Sequence, residues 1–388
     1  MTEAVFAPPP PEARQILASY DEVIRSVWRV PVRKERRLPQ EIRALARAFT
    51  GERGTRRMGY LNDPAQGAAY VRYYHWWNLL RLTRLFAALP EEAFPVPEGG
   101  VCVDIGSGPL TAVSALYLAR PALRDKNITW YCVDRSRQIL ERGEELFFAL
   151  QARMMEMRGK GEWRILRVQG GPETPLRQKA NLLVAANVFN EIIDRTRTPL
   201  EDAAGRAAGR LCSRLRGDAS LLVIEPGTPR PARFLHFLRG CLLERGFSPI
   251  APCVHSGPCP MDGGRGGKWC HFVFSSADAP DRLRSLSDEA GLPKERAALS
   301  FAAFGAGREE DSRGPAKGGP LPARITADVI RLPGGRAGLY GCSEAGLTLV
   351  ELPGSVNPPV SGTLVSVRLL PGLRDKKTNA VMAVFAKV

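Results

Sequence analysis

The sequence has no apolar run able to cross a bilayer. Its most apolar-looking stretch, Tyr70 to Leu89, carries Arg72, Arg81 and Arg84, whose charges are costly in hydrocarbon. Membrane insertion is set aside on that ground. The N-terminus, MTEAVFAPPPPEAR, lacks the basic and apolar regions of a secretion signal, and its early acidic residue does not suit a mitochondrial presequence. A reducing cytoplasm is the expected compartment, where the 8 cysteines do not form a disulfide framework. Internal repeats are missing, which excludes solenoid architectures. Acidic residues are short: Asp+Glu 40 against Lys+Arg 55 leaves a formal charge of +15. That surplus predicts an anionic partner, either nucleic acid or an acidic membrane surface.

A chain of 388 residues with 44% hydrophobic residues has ample core and length for two or three domains. Residues 1–95 read as a helical N-terminal region. Ile16, Tyr20, Val23, Ile24, Val27 and Trp28 recur at helical spacing, and Pro31 stops that run. Asp63-Pro64 is an N-cap and first-turn pair for a second long helix, with Val71, Tyr74, Trp77, Leu82, Leu85 and Phe86 as its buried stripe. Between these helices, residues 33–57 hold nine Arg/Lys against three Glu, either a solvated face or a phosphate-contacting one.

From Val101 the pattern becomes short apolar runs alternating with amphipathic helices. VCVDIG (101–106), TWYCVD (129–134), WRILRV (163–168), NLLVAAN (181–187) and SLLVIEP (220–226) read as five buried parallel strands, with helices near 110–120, 136–157, 198–216 and 230–244. HFVF (271–274) and ALSFAAF (298–304) are expected to add edge strands. The result is an α/β, doubly wound, Rossmann-like domain over 96–305, followed by a Gly/Pro/charged linker at 306–322. A small β-barrel or β-sheet unit is expected over 323–388.

The first strand runs into a glycine turn at a helix N-terminus, Asp104-x-Gly106-x-Gly108, where a ligand can approach the backbone. A dinucleotide-binding turn needs a glycine where Thr111 stands, so NAD is disfavoured. The acidic residue at the strand end fits the ammonium group of S-adenosylmethionine (SAM) better. Asp134, closing the second strand, is placed to accept from ribose hydroxyls or simply to cap the next helix. Asn187 closes the fourth strand and completes the candidate cofactor set. Leu110 occupies the position where a methyltransferase turn carries its third glycine, and a side chain there is expected to crowd the methionine pocket.

Cys253, Cys259 and Cys270 lie in the Gly/Pro-rich loop PCVHSGPCPMDGGRGGKWCHF (252–272), and Cys342 in GLYGCSEAG is the natural fourth thiol. The spacing does not match the short cysteine pairs of common zinc folds. Four thiolates suit an iron–sulfur cluster or zinc, and His255 and His271 keep a Cys3His zinc site open. Cys102 and Cys132 in strands, and Cys212 and Cys241 on helices, are expected in the core.

VDIGSGP (103–109), VIEPGTPRPARFLHFLR (223–239) and PCVHSGPCP…WCHF (252–272) together resemble the methyltransferase-like small-ribosomal-subunit assembly family of bacteria and mitochondria. The resemblance covers roughly residues 65–345. It implies a class I SAM-methyltransferase fold, a [4Fe–4S] cluster held by Cys253, Cys259, Cys270 and Cys342, and association with small-subunit rRNA. No catalytic residue is identified. After strand four the sequence reads Asn187-Val-Phe-Asn190-Glu191, without the Asp/Asn-Pro-Pro-aromatic motif of amine methylation, and no cysteine nucleophile for cytosine-C5 chemistry stands nearby. Asn187 and Glu191 are candidates to orient a substrate, Glu191 equally a helix cap. The Asn-Pro-Pro at 357–359 reads as a turn. Three functions stand side by side: an rRNA-binding assembly factor with a structural cluster, an active RNA methyltransferase with a structural zinc site, and a cluster-gated RNA-binding protein without catalysis.

Overall fold

The computed structural model describes residues 3–50, 63–154, 159–195, 198–264, 267–307, 319–326, 328–353 and 357–386. The N-terminal region comprises α1 (Pro11–Ala18), α2 (Tyr20–Val27), α3 (Val32–Glu35) and α4 (Leu38–Thr50). The first apolar run is thus two helices, broken at Ser19. Asp63 caps α5 (Pro64–Ala69) as the sequence predicts, its carboxylate accepting from the N–H groups of Ala65 and Gln66 at 2.9 Å each. A π-helical turn, Tyr70–His75, continues it into α6 (Trp76–Ala88). Along this helix the expected stripe is buried except Tyr74, which is half-exposed.

The basic stretch after Pro31 is only partly a solvated face. Ile42 and Leu45 of α4 are buried, and Arg43 donates to the carbonyl of Ala290 at 2.9 Å. The remainder of that stretch, from residue 51, lies outside the described residues.

The Rossmann-like core follows in order: β1 (Gly100–Ile105), α7 (Thr111–Ala119), α8 (Pro121–Arg124), β2 (Ile128–Asp134), α9 (Arg137–Arg153), β3 (Trp163–Gln169), β4 (Ala180–Ala186), α10 (Phe189–Arg195), α11 (Leu200–Cys212), β5 (Leu215–Pro226), α12 (Pro229–Leu243), β6 (Phe247–Ala251), β7 (Phe272–Ser275), α13 (Asp281–Glu289) and β8 (Arg296–Ala306). The strands form an eight-stranded sheet ordered β3-β2-β1-β4-β5-β8-β6, with β7 also on β8. Strands β1 to β5 pair in parallel, and β8 runs antiparallel to β5. This places the cofactor-type turn at the centre, where the strand order reverses between β1 and β4.

Two expectations need correcting. The 298–304 strand is interior, because β5 and β6 flank it. The outer strand beside it, β6, has half-buried residues and an internal proline that mask its pattern. Cys102 and Cys132 are buried as expected, but Cys212 and Cys241 are only half-buried, since both sit on outer helices.

The C-terminal unit comprises β9 (Leu321–Ile325), β10 (Ile330–Arg331), β11 (Ala337–Ser343), β12 (Gly346–Leu352), β13 (Leu364–Arg374) and β14 (Val381–Phe385). β9 starts within the expected linker, and residues 308–318 of that linker lie outside the described residues. Pairing runs β9-β11-β12-β14-β13 and returns from β13 to β9, so the sheet closes into a barrel with β10 appended to β11. Its interior is filled by Ala323, Ile325, Leu339, Val350, Val367 and Ala383. Among the described residues no helix is long and apolar enough to cross a membrane.

The N-terminal segment docks on this barrel. Val5 N–H donates to the Gly362 carbonyl at 3.2 Å, and Leu364 N–H to the Glu3 carbonyl at 2.6 Å. Gly362 has φ +92, and a Cβ there would stand 2.2 Å from a Val5 methyl. Gly362→Ala therefore combines backbone strain with a clash, and a destabilisation of about 1–3 kcal/mol is expected. Thermal denaturation checks it; an unchanged Tm would show that the docked segment yields freely.

Candidate functional site

Four of the sequence-predicted cofactor residues meet in one cleft. Asp104, Gly106, Gly108 and Asn187 line it, together with Ser107, Thr111, Tyr70, Asn78 and Leu82. Gly106 has φ +68, and a Cβ on it would sit 2.3 Å from Val188, so only glycine serves there. Gly108 has φ +49 and open space where a Cβ would point. The Asp104 side chain is 1% exposed, and its Oδ2 is without a hydrogen-bond partner. Burial pushes its pKa up to about 7, with repulsion from Asp134 adding to it and the Ser107 hydroxyl opposing. A cationic donor entering the cleft would satisfy that oxygen.

Asp134 stands beside this lining. Its Oδ2 accepts from Gly108 N–H and its Oδ1 from Ser136 N–H, both at 2.9 Å, so it fastens the first turn to the start of α9. The helix cap itself is the Ser136 hydroxyl, which accepts from Ile139 N–H. Leu110 does not crowd the cleft. It adopts φ 55 and turns its side chain into the core, where a Cβ on Gly143 would lie 2.6 Å from Leu110 Cδ1.

The lining suits the methionine end of SAM in chemistry, but its free space is about 20 Å³, roughly one water. SAM is many times larger than that space, so the cleft walled by Tyr70 and Leu82 does not accommodate the whole cofactor as it stands.

Sequence reasoning missed the residues that hold this wall. Arg81 donates to Ala298 O at 2.6 Å, to Asn78 Oδ1 at 2.7 Å and to Asn187 Oδ1 at 3.3 Å. Its pKa falls to about 10 through burial, opposed by the nearby Glu225 carboxylate. Glu225 is 0% exposed and accepts from the N–H groups of Val188, Phe189 and Asn190 at 3.2, 2.8 and 3.0 Å. The carboxylate that caps α10 is therefore Glu225 rather than Glu191. Burial pushes Glu225 up to about 8 even against those three bonds. The signal was the Glu-Pro pair ending strand five, present in the recognised motif. His75 is buried between the Tyr20 hydroxyl and Thr111 Oγ1, 2.8 Å from each, and burial holds it neutral, with its pKa down at about 3. It joins α2, the π turn and the start of α7, and its sequence context carries no sign of this.

The cysteine loop packs on the Glu225 motif. Trp269 Nε1 donates to Gly227 O at 3.1 Å, and Arg239 to His255 O at 2.8 Å. Cys270 precedes β7, and Cys342 lies on β11 of the barrel, 3.3 Å from His255 Nε2. The four cysteines are close enough to act on one another electrostatically. Burial pushes the Cys270 and Cys342 thiols far up, and the other cysteines push them further. Arg239 opposes this at Cys259, Cys270 and Cys342, and Arg324 faces Cys253 and Cys270. Four thiols beside two guanidinium groups are a donor set that gains by becoming thiolate on a metal. Among the described residues no three His, Cys, Asp or Glu side chains are arranged to hold a metal ion. His271 stacks on Trp269 at 4.9 Å and is bonded through Nδ1 to its carbonyl at 3.1 Å.

A second space, of about 1270 Å³, lies between the N-terminal segment, β7, α13 and the barrel. Leu80 and Arg84 line it, whereas Asn78 and Leu82 line the cleft, so the two spaces flank opposite faces of α6. Pro358 and Pro359 of the Asn-Pro-Pro segment face this space.

Comparison with known proteins adds one family. The model described as mitochondrial small ribosomal subunit Rsm22 matches residues 81–344, more than half of the chain. No curated protein matches the chain. Among solved structures, a class I SAM-dependent methyltransferase assigned in Listeria monocytogenes aligns at 8% identity and TM-score 0.36, covering 79% of this chain and 90% of the other. A sarcosine dimethylglycine methyltransferase assigned in Galdieria sulphuraria aligns at 12% identity and TM-score 0.32, covering 69% and 98%. Likenesses this distant carry no argument about the site.

The buried Asp104 yields a signed prediction. An acid whose folded pKa is raised costs stability as pH climbs from its unfolded value near 4 to about 7, and the cost is constant above that. Asp104→Asn is expected to raise the Tm by about 2–4 °C at pH 8 and by much less at pH 5. Equal shifts at both pH values, read by thermal denaturation, would contradict a buried, unpaired carboxylate.

Proposed function

The chain belongs to the Rsm22 family of the mitochondrial small ribosomal subunit, and from that premise we propose that it binds small-subunit rRNA through a methyltransferase-type fold stapled by an iron–sulfur cluster, acting in small-subunit assembly or modification. The observation that carries this reading is the span of the family match. Residues 81–344 include the glycine turn, the Glu225 motif and all four cysteines, from Cys253 to Cys342. The formal charge of +15 supports a polyanionic partner.

In this reading Cys253, Cys259, Cys270 and Cys342 hold a [4Fe–4S] cluster, zinc being the alternative metal. The cluster fastens the loop after β6 to the barrel strand β11. Arg239 and Arg324 offset the charge of the thiolates, and Arg324 also ties the barrel to the loop by donating to Pro252 O at 3.2 Å. Removing the metal should leave four half-buried thiols crowding one another and loosen the junction first.

SAM, when bound, supplies a methyl group. This chain's part is to receive the cofactor's ammonium on Asp104 Oδ2 and to keep the turn in shape through Asp134. Asn187 is held at the cleft edge by Arg81. An active methyltransferase is the second reading, favoured by the unpartnered Asp104 oxygen alone.

Two measurements separate these readings. RNA affinity should fall at least tenfold between about 50 and 200 mM salt if phosphate contacts dominate; a flat salt dependence would refute the electrostatic account. Calorimetric titration of the metal-loaded protein with SAM should give heat that Asp104→Ala abolishes. No heat from a folded, metal-loaded protein would remove the enzyme reading and leave the assembly role standing.

A further inference from the structure

The C-terminal unit has a strand order with a specific consequence. With the minor β10 set aside, its five strands count as one (β9), two (β11), three (β12), four (β13) and five (β14). Pairing then runs 1-2-3-5-4 and back to 1. All pairs are antiparallel except β12 with β14, strands three and five, which are parallel. That is the topology of an OB-fold barrel, which binds oligonucleotides across strands two and three between the loops joining strands one to two and four to five.

In this chain those two loops converge on the same outer face. Ile330 and Leu332 of the first loop and Ala380 of the second all pack on Tyr340 of β11 and Leu349 of β12, with Leu347 and Met382 beside them. The second loop is a tight turn. Asp375 accepts from Thr378 N–H at 2.9 Å and from the Tyr340 hydroxyl at 3.1 Å, which commits its carboxylate within the fold. Lys376 and Lys377 project from that turn exposed, and Arg331 is exposed on the first loop. None of the three makes an ion pair with a described residue. The segment 321–388 carries eight Lys/Arg against four Asp/Glu, a net positive unit.

We propose that the C-terminal barrel is a single-stranded RNA site, with Arg331, Lys376 and Lys377 gripping phosphates on either side of an apolar shelf formed by Leu347 and Met382. The strand is single because the shelf contacts base faces, which a duplex keeps stacked inside. The inference rests on the RNA-binding reading above and deepens it by naming the surface and the form of RNA. Most of this surface lies beyond residue 344, outside the family match.

The test uses the full-length, metal-loaded chain and a labelled 12-nucleotide RNA, single-stranded or annealed to its complement, with fluorescence anisotropy as the readout. Wild type should bind the single strand several-fold more tightly than the duplex. The triple variant Arg331→Glu, Lys376→Glu, Lys377→Glu should lose at least tenfold in single-strand affinity. Its plot of log affinity against log salt should flatten by about 2, at roughly 0.7 per lost phosphate contact. A control variant, Arg216→Glu, exposed near the start of β5, should bind as wild type does. Preserved circular dichroism and Tm would show that the triple variant folds. A folded triple variant with wild-type affinity would overturn the barrel site while leaving RNA binding by the rest of the chain intact. Tighter binding of the duplex would overturn the single-strand assignment. Failure of wild type to bind either RNA would overturn this proposal and the RNA-binding reading together.

Discussion

A buried carboxylate at the end of β5 is the constraint on which both candidate centres depend. Glu225 is sealed from water and would be prohibitively costly there without partners. The N–H groups of Val188, Phe189 and Asn190 supply them, and Arg81 stands within electrostatic reach. One consequence runs toward the cleft. Fixing the first turn of α10 fixes Asn187, which is held in the left-handed region at φ +58 and tied to Arg81. The other runs toward the cysteines. Two residues past Glu225, the Gly227 carbonyl receives Trp269, the neighbour of Cys270. A Cβ at Gly227 would press within 3.1 Å of the β8 backbone, so the approach of β8 to this corner also depends on the motif.

That coupling gives the motifs at 223–239 and 252–272 a common physical reason. The first ends strand β5 and caps the helix after β4. The second lies across it through Trp269 to Gly227 and Arg239 to His255. The barrel then closes the arrangement from outside, bringing Cys342 to His255 and Arg324 to Pro252. Cleft, cysteine loop and barrel are therefore mechanically continuous, although they lie in different elements of the chain. A metal at the cysteines would stiffen the same corner that holds the cleft wall.

Much of this was legible from the residues, and the reasons for the rest are local. Most of the parallel strands announced themselves because both faces of the sheet centre are covered, so buried residues run unbroken through β1, through Ala180–Ala185 of β4 and through Ala219–Glu225 of β5. Asp104, Gly106 and Gly108 could be placed in one cleft because they share a strand–turn–helix unit, and Asn187 joins them because β4 pairs with β1. β6 was hidden, since an outer strand with half-buried residues and a proline has no clean alternation. Arg81 and His75 were hidden for a different reason: both make their defining contacts with residues distant in sequence, and a buried polar side chain on an apolar helix has no periodic signature. Leu110 misled in the opposite direction. A side chain in place of the third glycine suggests obstruction, but the left-handed backbone at that point aims it into the core instead.

The closed barrel shows why pairing says more than strand content. Five short strands punctuated by glycine and proline fit several small β folds. The return of β13 to β9 and the parallel pairing of β12 with β14 leave one topology. Closure removes the free sheet edges that would otherwise invite pairing with another chain. It also presents a curved outer face on which two loops converge, one of them carrying adjacent lysines whose neighbouring carboxylate is already committed to Tyr340 and Thr378. Cys342 and Tyr340 share that face, opposite Leu347 and Leu349 across the β11–β12 ladder. Lys268 of the cysteine loop rests 4.3 Å over the Tyr340 ring. The barrel face proposed for RNA and the cysteine junction thus meet along a single strand, β11, so the order of the junction and the shape of that face are set by the same contacts.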